Sequence, residues 1–196
     1  YLSLSDYDRR KRRAQGKGNY LYVRYADDFV VLCNGTKAEA QAIKEELKGL
    51  LSTMGLTLAE EKTKVTHITE GFDFLGYRVI REMGRNGKMV PKVLIPEKAM
   101  KKFQNKISEI LAPDRAHESM NAKIIALNRL IGGWCEYYRC TSGPSQVFGK
   151  LSNQIFRHMA HWLGRKYKQS MPVVMQRFRE GTTLRTKTLK LKMPRE

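Results

Sequence analysis

Residues 20–33 read YLYVRYADDFVVLC, two apolar runs separated by a pair of adjacent aspartates. The runs 20–25 and 29–33 are dense in aromatic and β-branched residues, which favour β-strands. Between them lies Ala-Asp-Asp at 26–28, and Asp is a turn former that strand interiors avoid. The stretch therefore predicts a β-hairpin that carries two carboxylates at its bend.

Two neighbouring aspartates in an apolar frame suggest a metal site. Like charges side by side cost free energy unless a cation neutralises them. Carboxylate oxygens suit Mg²⁺, which binds through one or two carboxylates together with substrate phosphates. Asp27 and Asp28 are therefore candidate Mg²⁺ ligands that could hold ions against a reacting phosphate. The alternative is an ordinary hairpin with a solvated acidic turn, since acids at turns are common.

The chain that follows the hairpin predicts an α+β module with an antiparallel sheet. Residues 36–39 (Thr-Lys-Ala-Glu) have the form of a capping box, and the helix that they start presents one apolar face and ends at Gly55. Asn86-Gly87 is a strong hairpin turn. Further strands are predicted at 56–58, 72–80 and 89–95. This order of elements is typical of an α+β fold.

Beyond Pro96 the spacing of apolar residues becomes helical. Three apolar stripes are predicted, at Phe103, Ile107, Ile110 and Leu111, at Leu127, Leu130, Ile131 and Trp134, and at Phe148, Leu151, Ile155, Met159 and Trp162. Three helices of this length favour a small α-bundle in a lobe of its own. We therefore predict two domains, 1–96 and 97–196. Residues 184–196 alternate apolar with basic or Thr residues and could form an edge strand.

The composition points to a polyanionic partner. The chain has 37 Lys and Arg against 19 Asp and Glu, a net charge of +18. Residues 141–196 hold twelve of these basic residues and only two acids. Such a field favours nucleic acid, and no apolar run reaches the ~20 residues that span a membrane. Three cysteines favour a reducing compartment over a disulfide framework.

A second basic run, Arg9-Arg10-Lys11-Arg12-Arg13, precedes the hairpin. Its side chains could contact phosphates, or the run could be a solvated segment, and the sequence leaves both interpretations open.

Four spaced blocks together resemble one protein family. They are Tyr25-Ala26-Asp27-Asp28, Gly55-Leu56-Thr57-Leu58 with Lys62-Thr63, Phe72-Asp73-Phe74-Leu75-Gly76-Tyr77, and Trp134-Cys135-Glu136-Tyr137-Tyr138. In their order and spacing they resemble group II intron-encoded reverse transcriptases, which also act as maturases in the splicing of their own intron. The resemblance implies that 1–96 is the later half of a palm domain. It implies that 97–196 is a three-helix thumb, or maturase domain, with a basic tail.

The resemblance also implies an activity, RNA-directed DNA polymerisation by two-Mg²⁺ nucleotidyl transfer. Asp27 and Asp28 would be the catalytic metal ligands, and Lys62 would neutralise or protonate the leaving pyrophosphate. The simpler role of Lys62 is to pair with Glu60 or Glu61. Tyr25, Gly76 and Tyr77 would contact the primer and template. A packed strand with a glycine bulge is the alternative for Gly76 and Tyr77.

The implied partners are group II intron RNA, an RNA template with a DNA primer, and deoxynucleoside triphosphates. The basic face of the third helix would contact the RNA backbone, through Lys150, Arg157, Arg165 and Lys166. The bacterial cytoplasm or an organellar matrix is the expected location.

One departure from the family changes what we expect of this chain. The family has a further metal-binding aspartate on an earlier palm strand and nucleotide-binding fingers before it, and neither is evident in 1–196. The chain alone is therefore expected to be inactive and to need an N-terminal fingers and palm half. Two alternatives stay open. One is a non-catalytic RNA-binding splicing cofactor, and the other is a reverse transcriptase of the retron or diversity-generating type.

Overall fold

The structure is a computed structural model that describes residues 4–84 and 86–194. The chain divides into two compact units, Tyr1–Pro91 and Lys92–Glu196. The helices are α1 Asp6–Ala14, α2 Lys37–Thr53, α3 Glu97–Ile110, α4 Met120–Tyr138, α5 Pro144–Tyr167 and α6 Met171–Phe178. The strands are β1 Tyr20–Tyr25, β2 Asp28–Cys33, β3 Phe72–Phe74, β4 Tyr77–Met83, β5 Met89–Leu94, β6 Arg179–Glu180 and β7 Thr183–Leu184. Helices combined with small antiparallel sheets confirm the predicted α+β class.

The hairpin of the first unit is β1 paired with β2, as the sequence predicts. The pairing runs from Tyr20 opposite Cys33 to Tyr25 opposite Asp28. The second strand therefore begins at Asp28, one residue before the predicted start, and the turn is two residues long. Tyr22 and Phe29 pack on one face, with ring centroids 5.6 Å apart.

A helix that the apolar pattern does not predict precedes this hairpin. α1 has no buried residue, and its ends are stabilised by polar groups instead. The Ser5 hydroxyl accepts a hydrogen bond from the Asp8 N–H at 3.1 Å, and basic residues occupy the last turn. Arg12 donates two hydrogen bonds to the Gly18 carbonyl and lies over the Tyr20 ring. These contacts anchor α1 to the start of β1.

α2 begins and ends as its capping signals predict. Thr36 and Glu39 form a complete capping box, and Glu39 also accepts a hydrogen bond from the Gly18 N–H at 2.9 Å. These hydrogen bonds to the carboxylate lower the pKa of Glu39. Gly55, at a φ of 71°, follows the last turn. α2 is thereby tied through Glu39 to the entry of the hairpin.

Two strand predictions for the first unit are wrong. Residues 56–58 form no strand, because the Leu56 N–H donates to the Leu51 carbonyl and closes the end of α2. Residues 72–80 are not one strand but β3 and β4, joined by a tight turn at Leu75-Gly76. Both turn residues have positive φ, 48° and 74°. That is the pattern of a type I′ hairpin turn. β5 completes a three-stranded sheet of order β3-β4-β5.

The second unit holds the main apolar core. The three predicted stripes supply its centre, and Ile107, Ile124, Leu127, Ile155, Met159 and Trp162 are completely buried or nearly so. Trp134 stacks on Phe103 with ring centroids 4.5 Å apart, and Tyr138 is buried beside it. Among the described helices, none combines the length and the apolar character needed to cross a membrane.

The end of the second unit differs from the predicted edge strand. α6 and the short β6-β7 hairpin were not predicted, and strand structure within 184–194 is confined to Leu184 and a bridge between Arg185 and Lys190. Residues 195–196 lie outside the described part. The segment is instead fixed by Asn128, whose amide donates to the Lys190 carbonyl and accepts from the Lys192 N–H. Leu191 inserts into the core at 1% exposure.

Candidate functional site

The two predicted metal ligands lie at a strained turn. Asp27 is in the turn itself, and Asp28 is the first residue of β2, opposite Tyr25. Ala26 has a φ of 51°, a left-handed conformation that costs a residue with a Cβ about 1 kcal/mol. The Arg24 guanidinium donates a 2.7 Å hydrogen bond to the Ala26 carbonyl and braces this conformation. The turn therefore presents both carboxylates to solvent, and the hydrogen bond from Arg24 holds its backbone in place.

Both carboxylates are available to a ligand. Asp27 and Asp28 are exposed, and within the described residues neither makes a side-chain hydrogen bond or an ion pair. Their hard oxygens fit Mg²⁺, but two carboxylates fill only part of an octahedral shell. No group of three or more His, Cys, Asp and Glu side chains comes together in 4–84 and 86–194. The donor set therefore suits Mg²⁺ and leaves positions open for other ligands.

Lys62 is exposed in the turn 59–63, where its N–H bonds the Ala59 carbonyl at 3.1 Å. Of its two predicted simple partners, Glu60 and Glu61, Glu60 pairs with Lys48 instead, and this hydrogen bond lowers the pKa of Glu60. Among the described residues Lys62 forms no ion pair. Its ammonium is free to meet an anion, although no hydrogen bond joins it to Asp27 or Asp28.

The predicted primer contacts lie on two different turns. Tyr25 is 66% exposed and pairs with Asp28 across the carboxylate turn. Gly76 belongs to the turn between β3 and β4, where its positive φ accounts for the glycine without a bulge. Tyr77 opens β4 opposite Phe74. The structure thus brings Tyr25 next to the carboxylates and keeps Gly76 and Tyr77 together on the second hairpin.

The predicted RNA contacts of α5 lie along two neighbouring surface grooves. Lys150 and Arg157 line a groove of about 400 Å³, together with Asn153, Gln154 and His158. Arg165 lines a groove of about 280 Å³, together with Ser108, Leu111, Pro113, His158 and His161. His158 belongs to both, and α5 contains no acidic residue. We call Lys150, Arg157 and Arg165 the basic face of α5.

The histidines of these grooves were not predicted as site residues. His161 is three residues from His158 and four from Arg165, and this spacing is the signal that places the three side chains on the same helix face. Burial lowers the pKa of His158, and the charges of His161 and Arg165 lower it further. The Arg165 guanidinium is held at the wall of its groove by a 3.3 Å hydrogen bond to the Leu111 carbonyl.

Lys166 points away from these grooves into a set of carbonyl groups. Its ammonium donates to the carbonyls of Ala116, His117 and Glu118 at 3.0, 3.4 and 2.7 Å. It also lies 5.5 Å from the centroid of the Trp162 ring. These contacts favour a structural role, and the RNA contact of Lys166 stays a prediction.

Two family models match successive parts of the chain. Residues 4–79 match the reverse transcriptase (RNA-dependent DNA polymerase) family. Residues 100–180 match the maturase-specific domain of group II introns. A carboxylate turn in the first segment and a basic helical unit in the second define the class, a reverse transcriptase domain joined to a group II intron maturase-specific domain. The chain belongs to the reverse transcriptase/maturases encoded by group II introns.

Individual relatives agree with this family. The chain is 42% identical to Protein YkfC of Escherichia coli over 98 residues, which are 50% of this chain and 26% of that protein. It is 34% identical to the group II intron-encoded protein LtrA of Lactococcus lactis over 125 residues, 60% of this chain and 19% of LtrA. A COX1/OXI3 intron 1 protein of Saccharomyces cerevisiae is 46% identical over 59 residues, 30% of this chain and 7% of that protein. The chain thus spans 7–26% of the length of these relatives.

Proposed function

We propose that this chain is part of an RNA-directed DNA polymerase that also binds group II intron RNA and assists its splicing and mobility. The observation that carries the proposal is the pair of exposed, unpaired carboxylates on the braced turn of β1 and β2. This turn lies inside the segment that matches the reverse transcriptase family, and a basic helical unit follows it. The substrates would be an RNA template with a DNA primer and deoxynucleoside triphosphates.

In this function Asp27 and Asp28 are the catalytic carboxylates that hold Mg²⁺. Bound there, Mg²⁺ supplies charge stabilisation to the oxygens around the reacting phosphate. The carboxylates need no reorganisation to accept a cation, because no other side chain of the described residues holds them. Arg24 keeps the turn in place through the Ala26 carbonyl. Further oxygen ligands would come from the substrate and from an N-terminal fingers and palm half of the parent protein.

The other residues of the first unit would position the substrate. Lys62 would neutralise, and could protonate, the leaving pyrophosphate, since its ammonium has no internal partner among the described residues. Tyr25 offers an exposed ring beside Asp28. Gly76 and Tyr77 would approach the primer end on the turn between β3 and β4.

The second unit would bind RNA through the basic face of α5. Lys150 and Arg157 are exposed on one groove, and Arg165 lines the next. Arg and Lys contacts to phosphates supply most of the sequence-independent affinity for nucleic acid. We therefore propose 1–96 as the later half of a palm domain and 97–196 as the thumb. The matched bacterial and yeast relatives support a bacterial cytoplasm or an organellar matrix as the location.

The test is templated primer extension by the complete parent protein with Mg²⁺. Asp27→Ala and Asp28→Ala should each reduce extension by several orders of magnitude, because a lost metal ligand removes several kcal/mol of transition-state stabilisation. RNA affinity should stay near that of the unchanged protein. Asp114→Ala is the matched control, since Asp114 is also an exposed aspartate and lies in the second unit.

Near-normal extension by either variant would refute the assignment of the metal ligands. An unchanged parent that binds RNA but extends no primer would instead support the non-catalytic splicing cofactor. Extension by residues 1–196 alone would contradict the expectation that the two carboxylates need a further part of the palm.

A further inference from the structure

The smaller groove beside α5 differs from an ordinary basic surface in its titratable groups. Two histidines and one arginine line it, His158, His161 and Arg165, and its other side is formed by Ser108, Leu111 and Pro113. Arg165 is anchored to the Leu111 carbonyl, and His158 is half-buried. Its volume of about 280 Å³ is ample for a phosphate group.

We propose that this groove is a proton-linked binding site for a backbone phosphate of single-stranded RNA, whose affinity rises as the pH falls. The proposal rests on the RNA-binding function proposed above and names one of its sites. Arg165 would supply a permanent charge-assisted hydrogen bond, and the two imidazoles would add charge only when protonated. Lys150 and Arg157 in the adjoining groove would hold the neighbouring phosphates.

The charges around the histidines favour proton uptake with the ligand. On α5, His161 and Arg165 face His158 and oppose its protonation in the free protein. On the opposite wall, Ser108, Leu111 and Pro113 carry no titratable side chain, so no carboxylate of the described residues lines the groove. A bound phosphate would provide the missing negative charge. Binding should therefore raise the pKa of His158 above its value in the free protein.

The direction of the pH effect follows from this rise. The gain in affinity is complete below the pKa of the free histidine and is lost as the pH rises through the pKa of the bound histidine. A rise of about one unit for one histidine corresponds to about a tenfold gain in affinity. Because burial lowers the pKa of free His158, the gain reaches its full value only below the ordinary histidine value of 6.5.

The experiment measures binding of the 196-residue chain to a labelled oligouridylate by fluorescence anisotropy, from about pH 8 to about pH 5.5, the range in which histidine titrates. Uracil does not titrate there. We expect affinity to rise about tenfold over this range, and the rise to disappear in a His158→Gln/His161→Gln variant. His117→Gln is the matched control, because His117 is an exposed histidine outside the groove and bonds the Asp114 carbonyl.

A second measurement keeps the test independent of the variant's folding. Imidazole proton resonances of the unchanged chain are titrated alone, with oligouridylate, and with inorganic phosphate. We expect the oligouridylate to raise the pKa of His158 and to leave the resonances of His117 unperturbed. Equal rises with inorganic phosphate at the same phosphate concentration would overturn the RNA assignment in favour of a free anion.

The two failures are distinguishable. RNA binding without a pH dependence carried by His158 and His161 overturns the proton-linked site and leaves the proposed function standing. No RNA binding at any pH, with the resonances of a folded chain, overturns the proposed RNA-binding function itself.

Discussion

Lys123 is a cation inside the core of the second unit. Its side chain is 2% exposed, and its ammonium lies 3.0 Å from the Glu118 carboxylate and 5.9 Å from the Trp162 ring centroid. A buried charge is tolerated only when a partner compensates it. The hydrogen bond from Lys123 lowers the pKa of Glu118 below its ordinary value of 4.5.

Stability at acid pH should depend on this pair. A carboxyl whose pKa is lower in the folded state stabilises the fold above its unfolded value, and that contribution is lost as the pH falls through the folded pKa. Stability should therefore fall below about pH 4.5, and Glu118→Gln should lower stability at pH 7 and flatten the acid limb. Urea unfolding at several pH values measures both. An acid limb identical in the variant and the unchanged chain would contradict this role.

Lys166 is expected to contribute to stability, whereas the basic face of α5 is expected to contribute to RNA binding. Lys166→Met keeps most of the side chain but leaves three carbonyls without their donor, which should cost about 1–2 kcal/mol of the free energy of unfolding. Affinity for oligouridylate should hardly change. Lys168→Met is the control, because Lys168 is an exposed lysine two residues away. Weaker RNA binding at unchanged stability would show that Lys166 contacts RNA after all.

The carbonyl partners of Lys166 could not be predicted from the sequence. The carbonyls that hold Lys166 lie about fifty residues earlier in the chain, where only the tertiary fold brings them close. Asp27 and Asp28, in contrast, are local features, since a pair of acids between two strand-forming runs can lie only at the bend. Their position on the turn therefore followed from the sequence, while their catalytic role still rests on the proposed function.

Some helices and strands could likewise be predicted from the sequence, and others could not. The apolar stripe of α5 could be predicted because its residues recur at helical spacing in the sequence, and all of them are buried in the structure. α1 was missed because it buries no residue and is stabilised by its cap and charges, which leave no apolar period. The turn between β3 and β4 was missed because Leu75, which seldom adopts positive φ, takes the place of the usual Asn or Asp.

The end of α5 gives a test of backbone strain. Lys168 caps this helix in the left-handed conformation, φ 51° and ψ 42°, a position that usually holds glycine. Lys168→Gly should therefore raise the free energy of unfolding by about 0.5–1 kcal/mol, measured by urea unfolding. Lys168→Ala, which keeps the Cβ, should give no such gain. A loss of stability with glycine would mean that the lysine side chain stabilises the helix end.

Two basic surfaces of the described residues are the candidates for the RNA footprint. α1 exposes Arg10, Lys11 and Arg13 in the first unit, and the basic face of α5 lies in the second. Each phosphate neutralised contributes a slope of roughly −0.7 for a single strand in log affinity against log salt. The decrease in this slope when the basic residues of one surface are replaced therefore shows whether that surface binds RNA.

Replacing Lys150, Arg157 and Arg165 together with Gln should flatten this slope by about 2 and weaken binding, if each residue contacts one phosphate. The matched control replaces Arg10, Lys11 and Arg13 with Gln, an equal change of charge. Affinity is measured at a series of salt concentrations. A flattened slope in the control and an unchanged slope in the α5 variant would move the RNA footprint to α1.

The hydrogen bonds between Asn128 and residues 190 and 192 have a consequence for synthesis of the chain on the ribosome. Asn128 lies 62 residues before Lys190 in sequence, and Leu191 fills the core between these hydrogen bonds. α3 and α4 emerge from the ribosome first. Part of their apolar surface stays uncovered until the segment after β7 has been translated. Long-range contacts of this kind form late because the intervening chain must be ordered first. The nascent unit is therefore open to chaperones and proteases until residues 190–192 have left the exit tunnel.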